Sequence, residues 1–485
     1  MPGLLAGVHR GVIGFLVGID WAILGYFLLL NSTYLLLIVL AALEFARHLR
    51  RAPFAGHDRA FASPLTPPVS VLVPAHNEEA GIVECVRAML GLRYPEFEVI
   101  VIDDGSVDRT FARLRDAFGL VEVPRVLAAD VPTRGQVQST WSPRSGAPLL
   151  VIRKAAAGSR SDALNVGINA AQFPLLCMID ADCVLDEDAL LHTAKPFVDN
   201  PWEVVASGGV IRAVNGCRVD RGRVTDVRMP SGWLPRIQVM EYLRAFLLGR
   251  TGWSRLGSLL VISGAFGMFR RDVVVEVGGL DHETHGEDAE LVVRIHRHLR
   301  AQRRRYRIVF VAEPVCWTEL PASHAVLARQ RTRWSRGLAE MLWKHRRMLL
   351  APRYGRVGLV GMPYFVVFEL LSPVVELGGV VAVLIGLAAR AVNIEFGLLF
   401  LLVAIGYGIF LSMAALAVEE FSFHRYPRWR DLVTAMSAAA LENLGYRQLH
   451  AWWRLRGLAQ AVRGGTAEWG VMSRSGFDTG VEQGG

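Results

Sequence analysis

Residues 69–74 read VSVLVP, and residues 98–104 read EVIVIDD. Each run is short, rich in β-branched residues and closed by polar or turn-forming residues, which is typical of a strand buried on both faces. The stretch between them is amphipathic through Leu90 and predicts a helix. Strands that alternate with helices indicate a mostly parallel α/β sheet with helices on both faces. Two further runs, LLVI at 149–152 and LLCMI at 175–179, predict more strands of this sheet.

Acidic residues stand at the ends of two of these strands. Asp103-Asp104 closes one, and Asp180-Ala181-Asp182 follows another. Ligands of such sheets bind beyond the carboxyl ends of the strands, so both groups are candidate site residues. Alternate residues of an extended chain share a face, so Asp180 and Asp182 can address one cation, for which Mg2+ or Mn2+ is the expected choice. Taken alone, the first pair also fits a common Asp-Gly turn.

Two more polar signatures follow along the chain. Gly286-Glu287-Asp288 can supply a carboxylate base, and QRTRW at residues 330–334 joins a planar cation to an aromatic ring. In order, the four signatures suit the transfer of a sugar from a nucleotide diphosphate. Taken alone, the last one also fits an interfacial membrane anchor, because Trp and Arg gather at lipid headgroups.

The composition predicts a soluble domain joined to membrane helices. The 485 residues are 52% hydrophobic and 20% charged, with a net charge of +8. The positive charge favours lipid headgroups and nucleotide phosphates as partners, and nucleic acid is not expected because no nucleic-acid motif occurs. Five scattered cysteines without a CxxC motif give no reason to expect a disulfide framework or a zinc site.

Two apolar blocks flank the polar middle region. Residues 21–46 predict one tilted membrane span, and the basic residues that follow it place that end in the cytoplasm. Residues 357–418 form a second block with a break at Pro373, and residues 432–458 predict an amphipathic helix at the membrane surface or a further crossing. The acidic residues of the second block either face protein, water or a polar substrate, or pair near an interface.

Seven segments together resemble the family 2 glycosyltransferases with membrane helices, the group of cellulose, hyaluronan, chitin and poly-N-acetylglucosamine synthases. The segments are VSVLVPAHNEEAGI, VIVIDDGSVDRT, KAAAGSRSDALNVGIN, MIDADCVL, SGAFGMFRRDVVVEVGGLD, GEDAELVVRIHRHLR and RQRTRWSRG. The likeness looks closest to the bacterial poly-N-acetylglucosamine synthase type. It implies a GT-A-like cytosolic domain at 67–347, a membrane anchor at 1–51, transmembrane and interfacial helices at 353–464 and a tail at 465–485.

The resemblance also implies roles for individual residues. The nucleotide-binding residues would be Pro74, Ala75, Asn77, Glu79, Asp103, Lys154, Asp162 and Asp180. The metal ligands would be Asp182, the more direct one, and Asp180, around Mg2+ or Mn2+. The catalytic base would be Asp288, with Glu287 as its acidic neighbour. The pyrophosphate and acceptor residues would be Gln330, Arg331, Arg333, Trp334, Ser263 and Gly264. The sequence departs from the family pattern at Arg160, where a lysine or small residue is frequent, and at Gly286, where threonine is usual.

The leading hypothesis is an inverting glycosyltransferase that uses a UDP-sugar, with UDP-GlcNAc or UDP-glucose favoured. It would extend a polysaccharide processively and pass it into its own membrane helices. The alternatives are single-sugar transfer to a lipid acceptor and a non-catalytic membrane receptor or scaffold. The expected partners are the donor, a glycan or lipid acceptor, the bilayer and, for export, an accessory protein. The expected location is a bacterial-type inner (plasma) membrane, crossed more than once, with the catalytic domain in the cytoplasm.

Overall fold

A computed structural model describes residues 2–51, 66–220, 222–388, 394–423 and 428–464, so the expected tail at 465–485 lies outside the described residues. A ten-stranded sheet forms the centre of the polar middle region. Its strands are β1 (Val69–Ala75), β2 (Phe97–Asp104), β3 (Leu120–Glu122), β4 (Val137–Pro143), β5 (Leu149–Lys154), β6 (Leu175–Ile179), β7 (Cys183–Leu185), β8 (Val204–Ala213), β11 (Phe266–Arg270) and β12 (Arg307–Thr318). A separate antiparallel pair is formed by β9 (Arg218–Asp220) and β10 (Arg223–Asp226).

The order of strands in the sheet is β3-β4-β5-β2-β1-β6-β11-β8-β12-β7. The four runs predicted from the sequence are β1, β2, β5 and β6, and they lie side by side and parallel. Every residue of β1 is buried, which explains why its sequence is apolar without alternation. β11 runs antiparallel to both of its neighbours, β6 and β8, so the expected α/β sheet is confirmed as a mixed one. The carboxyl ends of the four parallel strands therefore meet at one edge.

Helices connect the strands of the middle region. They are α2 (Ile82–Leu90), α3 (Thr110–Phe118), α4 (Arg160–Ala170), α5 (Ala189–Asp199), α6 (Trp233–Tyr242), α7 (Thr251–Leu256), α8 (Arg271–Glu276), α9 (Glu287–Ala301) and α10 (His324–Lys344). A π-helical segment, Leu243–Arg250, joins α6 to α7. The five cysteines are all buried, and none of them forms a disulfide.

The apolar blocks and the segment that follows them form helices of very different length. They are α1 (Pro2–Arg51), α11 (Met362–Tyr364) between π-helical turns, α12 (Ser372–Ala388), α13 (Ile394–Leu401), α14 (Tyr407–Phe423), α15 (Trp429–Leu441) and α16 (Arg447–Arg463). Two stretches are long and apolar enough to cross a membrane, Gly18–Arg47 and Gly397–Phe421. The pair Val357–Leu370 and Ser372–Gly386, bent by 40°, would make a third if it acts as one span. The bend coincides with the break expected at Pro373.

Ion pairs connect the apolar helices to the polar region. Arg255, at the end of α7, bonds to Glu44 of α1 at 2.5 Å. Arg212 of β8 pairs with Glu419 of α14 at 2.5 Å, and both side chains are almost fully buried. The polar region and the two candidate spans are thus held together by charge as well as by apolar packing.

The acidic residues of the second apolar block also face protein. Glu369 accepts hydrogen bonds from Arg454 of α16 and from the Tyr34 hydroxyl. Glu376 pairs with Arg447 of the same helix at 3.3 Å. α16 therefore supplies the cations that compensate two carboxylates which would be costly in lipid.

Candidate active site

Two loops meet beyond the ends of β1 and β2. The backbone N–H of Asn77 donates to the Ser106 hydroxyl at 3.0 Å, and the Asn77 side-chain oxygen accepts from the N–H of Val107 at 2.9 Å. Glu79 accepts from the N–H of Arg109 at 3.0 Å. Asn77 takes a φ of +56°, which asparagine tolerates better than most residues. These bonds join the loop after β1 and the loop after β2 into one unit. The first of these loops begins at Pro74 and Ala75, the last residues of β1.

Asp103 and Asp104 are the last residues of β2 and are both buried. Asp103 accepts the N–H of Ser106 at 3.0 Å, so it fixes the turn as well as ending the strand. The turn needs Gly105, which has a φ of +64°. A Cβ at that position would also lie 2.7 Å from the backbone nitrogen of Ala156, so the strand ends of β2 and β5 approach closely there.

Lys154 and Asp162 lie behind this edge. The Lys154 side chain is fully buried and pairs with Asp104 and, at 2.9 Å, with Asp162. Asp162 accepts two further hydrogen bonds, from the backbone N–H of Arg134 at 2.5 Å and of Gly135 at 2.9 Å. Burial acts to raise the pKa of Asp162, but these hydrogen bonds and Lys154 lower it overall. Lys154 and Asp162, which the resemblance assigns to nucleotide binding, thus hold the loop at Arg134 and Gly135 from its buried side.

Arg160, the first residue of α4, joins three parts of the site. Its Nε bonds to Asp180 at 2.7 Å, and the other guanidinium nitrogens bond to Glu287 at 3.0 Å and to the backbone oxygen of Gly264 at 2.6 Å. Only 10% of the Arg160 side chain is exposed. One cation therefore holds the acidic group after β6, the acidic group that begins α9 and the loop before β11 in a single cluster.

The base predicted from the sequence belongs to this cluster. Asp288 lies so close to Gly264 that a Cβ on that glycine would be 3.4 Å from its Oδ2. Burial raises the pKa of its neighbour Glu287, although Arg160 and Arg333 act to lower it. Arg333 is thus near enough to the cluster to act on its charge. The Ser263 hydroxyl, at the start of the same loop, accepts from the N–H of Ala265 at 3.2 Å.

The remaining predicted residues lie on α10. Gln330 and Arg331 are buried, and Arg331 pairs with Glu241 of α6 at 2.5 Å. Trp334 is 41% exposed, and its ring lies 4.7 Å from the Arg331 guanidinium. The Trp334 ring is thus exposed on α10, whereas Arg331 contacts protein.

α10 is joined along its length to α16. The Thr332 hydroxyl donates to the backbone oxygen of Trp453 at 3.2 Å, and the Ser335 hydroxyl donates to that of Arg454 at 2.8 Å. A Cβ on Gly457 would lie only 2.3 Å from the backbone oxygen of Thr332, so the backbones of the two helices are in contact there. The hydroxyls of Thr332 and Ser335 thus bind α10 to α16, the helix whose arginines pair with the acidic residues of the second apolar block.

Two glycines set the distance between α10 and the acidic signature. A Cβ on Gly337 would lie 2.7 Å from the backbone nitrogen of Gly286, and a Cβ on Gly286 would lie 3.3 Å from Gly337. The sequence departure at Gly286 therefore has a structural reason, because the larger threonine side chain would meet the backbone of α10.

Replacing Gly337 by Ala is expected to lower the free energy of unfolding by about 1–3 kcal/mol. In an open helix this change would stabilise by up to about 1 kcal/mol, but the obstructing atoms are backbone and cannot turn aside. Gly378→Ala in α12, where nothing lies within 4 Å of the added Cβ, is the matched control. Thermal unfolding of both variants measures the difference, and equal midpoints would contradict the close packing.

Asp180 and Asp182 fit a divalent cation that shares the phosphates of a substrate. Both follow β6, both are partly exposed, and carboxylate oxygens are hard ligands. Among the described residues, no group of three or more His, Cys, Asp or Glu side chains could hold a metal by itself. Mg2+ commonly takes one or two carboxylates and completes its shell with substrate phosphates and water, so two carboxylates are a sufficient protein contribution.

Arg160 is the site residue whose position sequence reasoning missed. The sequence shows it only as a departure from a familiar pattern, and its three partners lie 20, 104 and 127 residues away. The usable signal is a cation at the first residue of a helix whose following residues, from Ser161 and Asp162 onward, are buried.

Comparisons with known proteins show which proteins this chain is similar to. The chain is 28% identical over 276 residues to the probable glycosyltransferase YdaM of Bacillus subtilis, covering 56% of this chain and 55% of that protein. It is 26% identical over 274 residues to the poly-beta-1,6-N-acetyl-D-glucosamine synthase of Staphylococcus epidermidis, with the same coverage of each. The chain thus spans about half the length of the curated relatives it matches.

Among solved structures, a mannosyltransferase of Pyrobaculum calidifontis in complex with GDP-Man and Mn2+ has a TM-score of 0.50 and 18% identity, covering 88% of this chain and 99% of that one. This likeness confirms the expected α/β sheet of GT-A type. The family described as "Glycosyltransferase like family 2" matches residues 67–337, more than half of the chain. The chain belongs to the family 2 glycosyltransferases.

Proposed function

We propose that the chain is an inverting glycosyltransferase that uses a nucleotide sugar, with UDP-GlcNAc or UDP-glucose favoured, to extend a glycan. The observation that carries the proposal is the Arg160 cluster. In it, Asp180, Glu287 and the Gly264 backbone belong to one hydrogen-bonded group with Asp288 beside them, which supports a shared site for donor and acceptor. An active site that transfers a sugar must hold the donor's diphosphate and the acceptor hydroxyl no further apart than the length of one sugar.

The reaction follows from these positions. Asp288 accepts the proton of an acceptor hydroxyl as that oxygen attacks the anomeric carbon of the donor. The bond from that carbon to the diphosphate breaks on the opposite side, which inverts the anomeric centre. Arg160 and Arg333 supply planar guanidinium groups for the negative charge that develops on the leaving phosphates. A Mg2+ or Mn2+ ion held by Asp182 and Asp180 would neutralise part of the same charge.

The nucleotide itself would occupy the unit formed by the loops after β1 and β2. Asn77, Glu79 and Asp103 hold that unit together, and its edge is continuous with Asp180 through the parallel strands. Lys154 and Asp162 would act on the nucleotide through the loop at Arg134 and Gly135, because the lysine itself is buried.

Processive extension is supported by the contact of α10 with α16. Trp334 offers a sugar-stacking face on α10, and α16 carries the cations that pair with Glu369 and Glu376 in the apolar block. A growing glycan bound at Trp334 would therefore lie beside helices suited to a membrane. We propose a bacterial inner membrane location, with residues 67–347 in the cytoplasm, 1–51 and 353–464 at or in the bilayer, and an accessory export protein as a candidate partner.

The decisive experiment is a donor screen with product sizing. The purified full chain, in detergent or nanodiscs, is incubated with labelled UDP-GlcNAc, UDP-glucose or GDP-mannose, with Mg2+, Mn2+ or EDTA. A ladder of glycans from one UDP-sugar, abolished by EDTA, is the expected result. One sugar on a lipid would favour single addition instead, and neither transfer nor donor hydrolysis would favour a non-catalytic scaffold.

A further inference from the structure

Arginines surround a cavity of about 440 Å³ at the C-terminal end of α9, and none of the predicted site residues lines it. The charged residues that line it are Arg300, Arg303, Arg304, Arg305, Arg353 and Glu203. A concave surface with such an excess of positive charge is expected to concentrate anions.

Most of this positive charge is uncompensated. Arg304 pairs with Glu276 at 2.7 Å, but among the described residues no carboxylate lies within ion-pair distance of the other four arginines. The single acidic residue of the cavity, Glu203, accepts from the Asn200 amide at 3.1 Å. Arg300 is held in place by the Tyr306 hydroxyl, which accepts its Nε–H at 3.2 Å. The cavity therefore keeps a net positive charge in the folded protein.

Arg303 occupies a backbone position that favours glycine. It follows the end of α9 with a φ of +58°, and the N–H of Arg304 donates to the Leu299 oxygen at 3.0 Å, which closes the helix end. Glycine is usual at this left-handed position because a side chain there is strained. The chain nevertheless places a guanidinium group at the cavity, and helix closure alone does not explain this choice.

The cavity lies where the chain reaches its candidate membrane segment. Arg353 stands four residues before Val357, the first residue of the bent pair. The Arg300 guanidinium packs on Gly355, since a Cβ there would be 3.5 Å from its nitrogen. Just upstream, the apolar side chain of Leu350 is 65% exposed. Arg300 and Arg353 thus lie beside the start of a candidate membrane segment.

We propose that this cavity binds a phosphate-bearing anion, and that in the membrane this anion is the headgroup of an acidic phospholipid. Guanidinium groups bind phosphate oxygens through paired N–H donors, and arginines at a membrane surface gain from negative headgroups. The proposal does not depend on catalysis, because binding at this cavity can be measured without sugar transfer.

The test measures binding of short-chain lipids to the full chain in a neutral detergent, for example by native mass spectrometry. The ligands are dioctanoyl phosphatidylglycerol, its zwitterionic phosphatidylcholine counterpart and inorganic phosphate, which separates a soluble source of the anion from a lipid one. The variant is Arg303→Gly with Arg305→Ala. The matched control is Arg297→Ala with Arg307→Ala, which removes two exposed arginines that do not line the cavity.

The expected result is that the chain binds phosphatidylglycerol about tenfold more tightly than phosphatidylcholine, and less tightly as salt rises. The cavity variant loses about tenfold or more of this affinity while its unfolding midpoint is kept, because glycine suits the position of Arg303. Phosphate binding that the same variant abolishes, without lipid preference, would assign the site to a soluble anion. The proposal is overturned if the variant binds both anions like the parent chain, or if the control loses as much.

Discussion

Asp288→Asn is expected to lower the rate of sugar transfer by about 10²–10⁴-fold at saturating donor. The amide keeps the shape of the side chain and can still accept the N–H of Ala289 at 2.8 Å, as the carboxylate does. It cannot take a proton from the acceptor hydroxyl, so the loss should appear in kcat. Affinity for the nucleotide sugar should change little, because the base acts on the acceptor rather than on the donor.

Two further variants make this result specific. Asp272→Asn, on the exposed first turn of α8, changes the same functional group outside the site and should keep the full rate. Glu287→Gln tests the neighbour, whose pKa is raised by burial and which pairs with Arg160. If Asp288→Asn still made polymer at the parent rate while Glu287→Gln did not, the base would be Glu287 and the assignment made here would be wrong.

Arg160→Ala is expected to have the second largest effect, on both stability and rate. Removing one partner of a buried ion pair costs about 3–5 kcal/mol, and partial exposure of Asp180 places the expected loss near the lower end. The rate of transfer should also fall by about 10²–10³-fold, because a cation near the leaving phosphates is lost. Thermal unfolding and steady-state kinetics with the preferred donor measure the two effects separately.

Arg160→Lys distinguishes charge from geometry. Lysine keeps the positive charge but cannot bond to Asp180, Glu287 and the Gly264 oxygen in one plane. We expect it to recover stability better than rate. Arg93→Ala, which removes an exposed arginine from another ion pair, is the control and should leave both unchanged. Parent-like kinetics in Arg160→Ala would show that the cluster does not serve catalysis.

The strands that the sequence predicts are those whose own residues form a continuous apolar run. β1, β2, β5 and β6 are buried on both faces, and their apolar runs are therefore visible without any knowledge of the partners. β11 is not among the strands predicted from the sequence, and its residues closely follow Ser263 and Gly264, which the resemblance assigns to the acceptor side. Its place between β6 and β8 depends on pairing with segments about 60 to 90 residues earlier in the chain.

The residues of the site also divide into those that the sequence predicts and those that it does not. The carboxylates could be predicted because strand ends concentrate them at one edge of a parallel sheet. The bonds of Arg160 to Glu287 and of Arg331 to Glu241 join residues 127 and 90 positions apart, and nothing in the local sequence specifies them. The same holds for Gly286 against Gly337, where the informative property is the absence of a side chain.

The junction of α10 and α16 has a consequence for how a polymer would advance. Backbone contact at Gly457 and two hydroxyl bonds would have to break before these helices could slide past each other by the length of a hexose. We therefore expect Trp334 to keep a fixed height above the bilayer during the cycle. After each transfer, the part that moves would then be the sugar chain itself or the short segments around Gly264 and Gly286. These segments lie at the proposed reaction centre and are not part of the contact between α10 and α16.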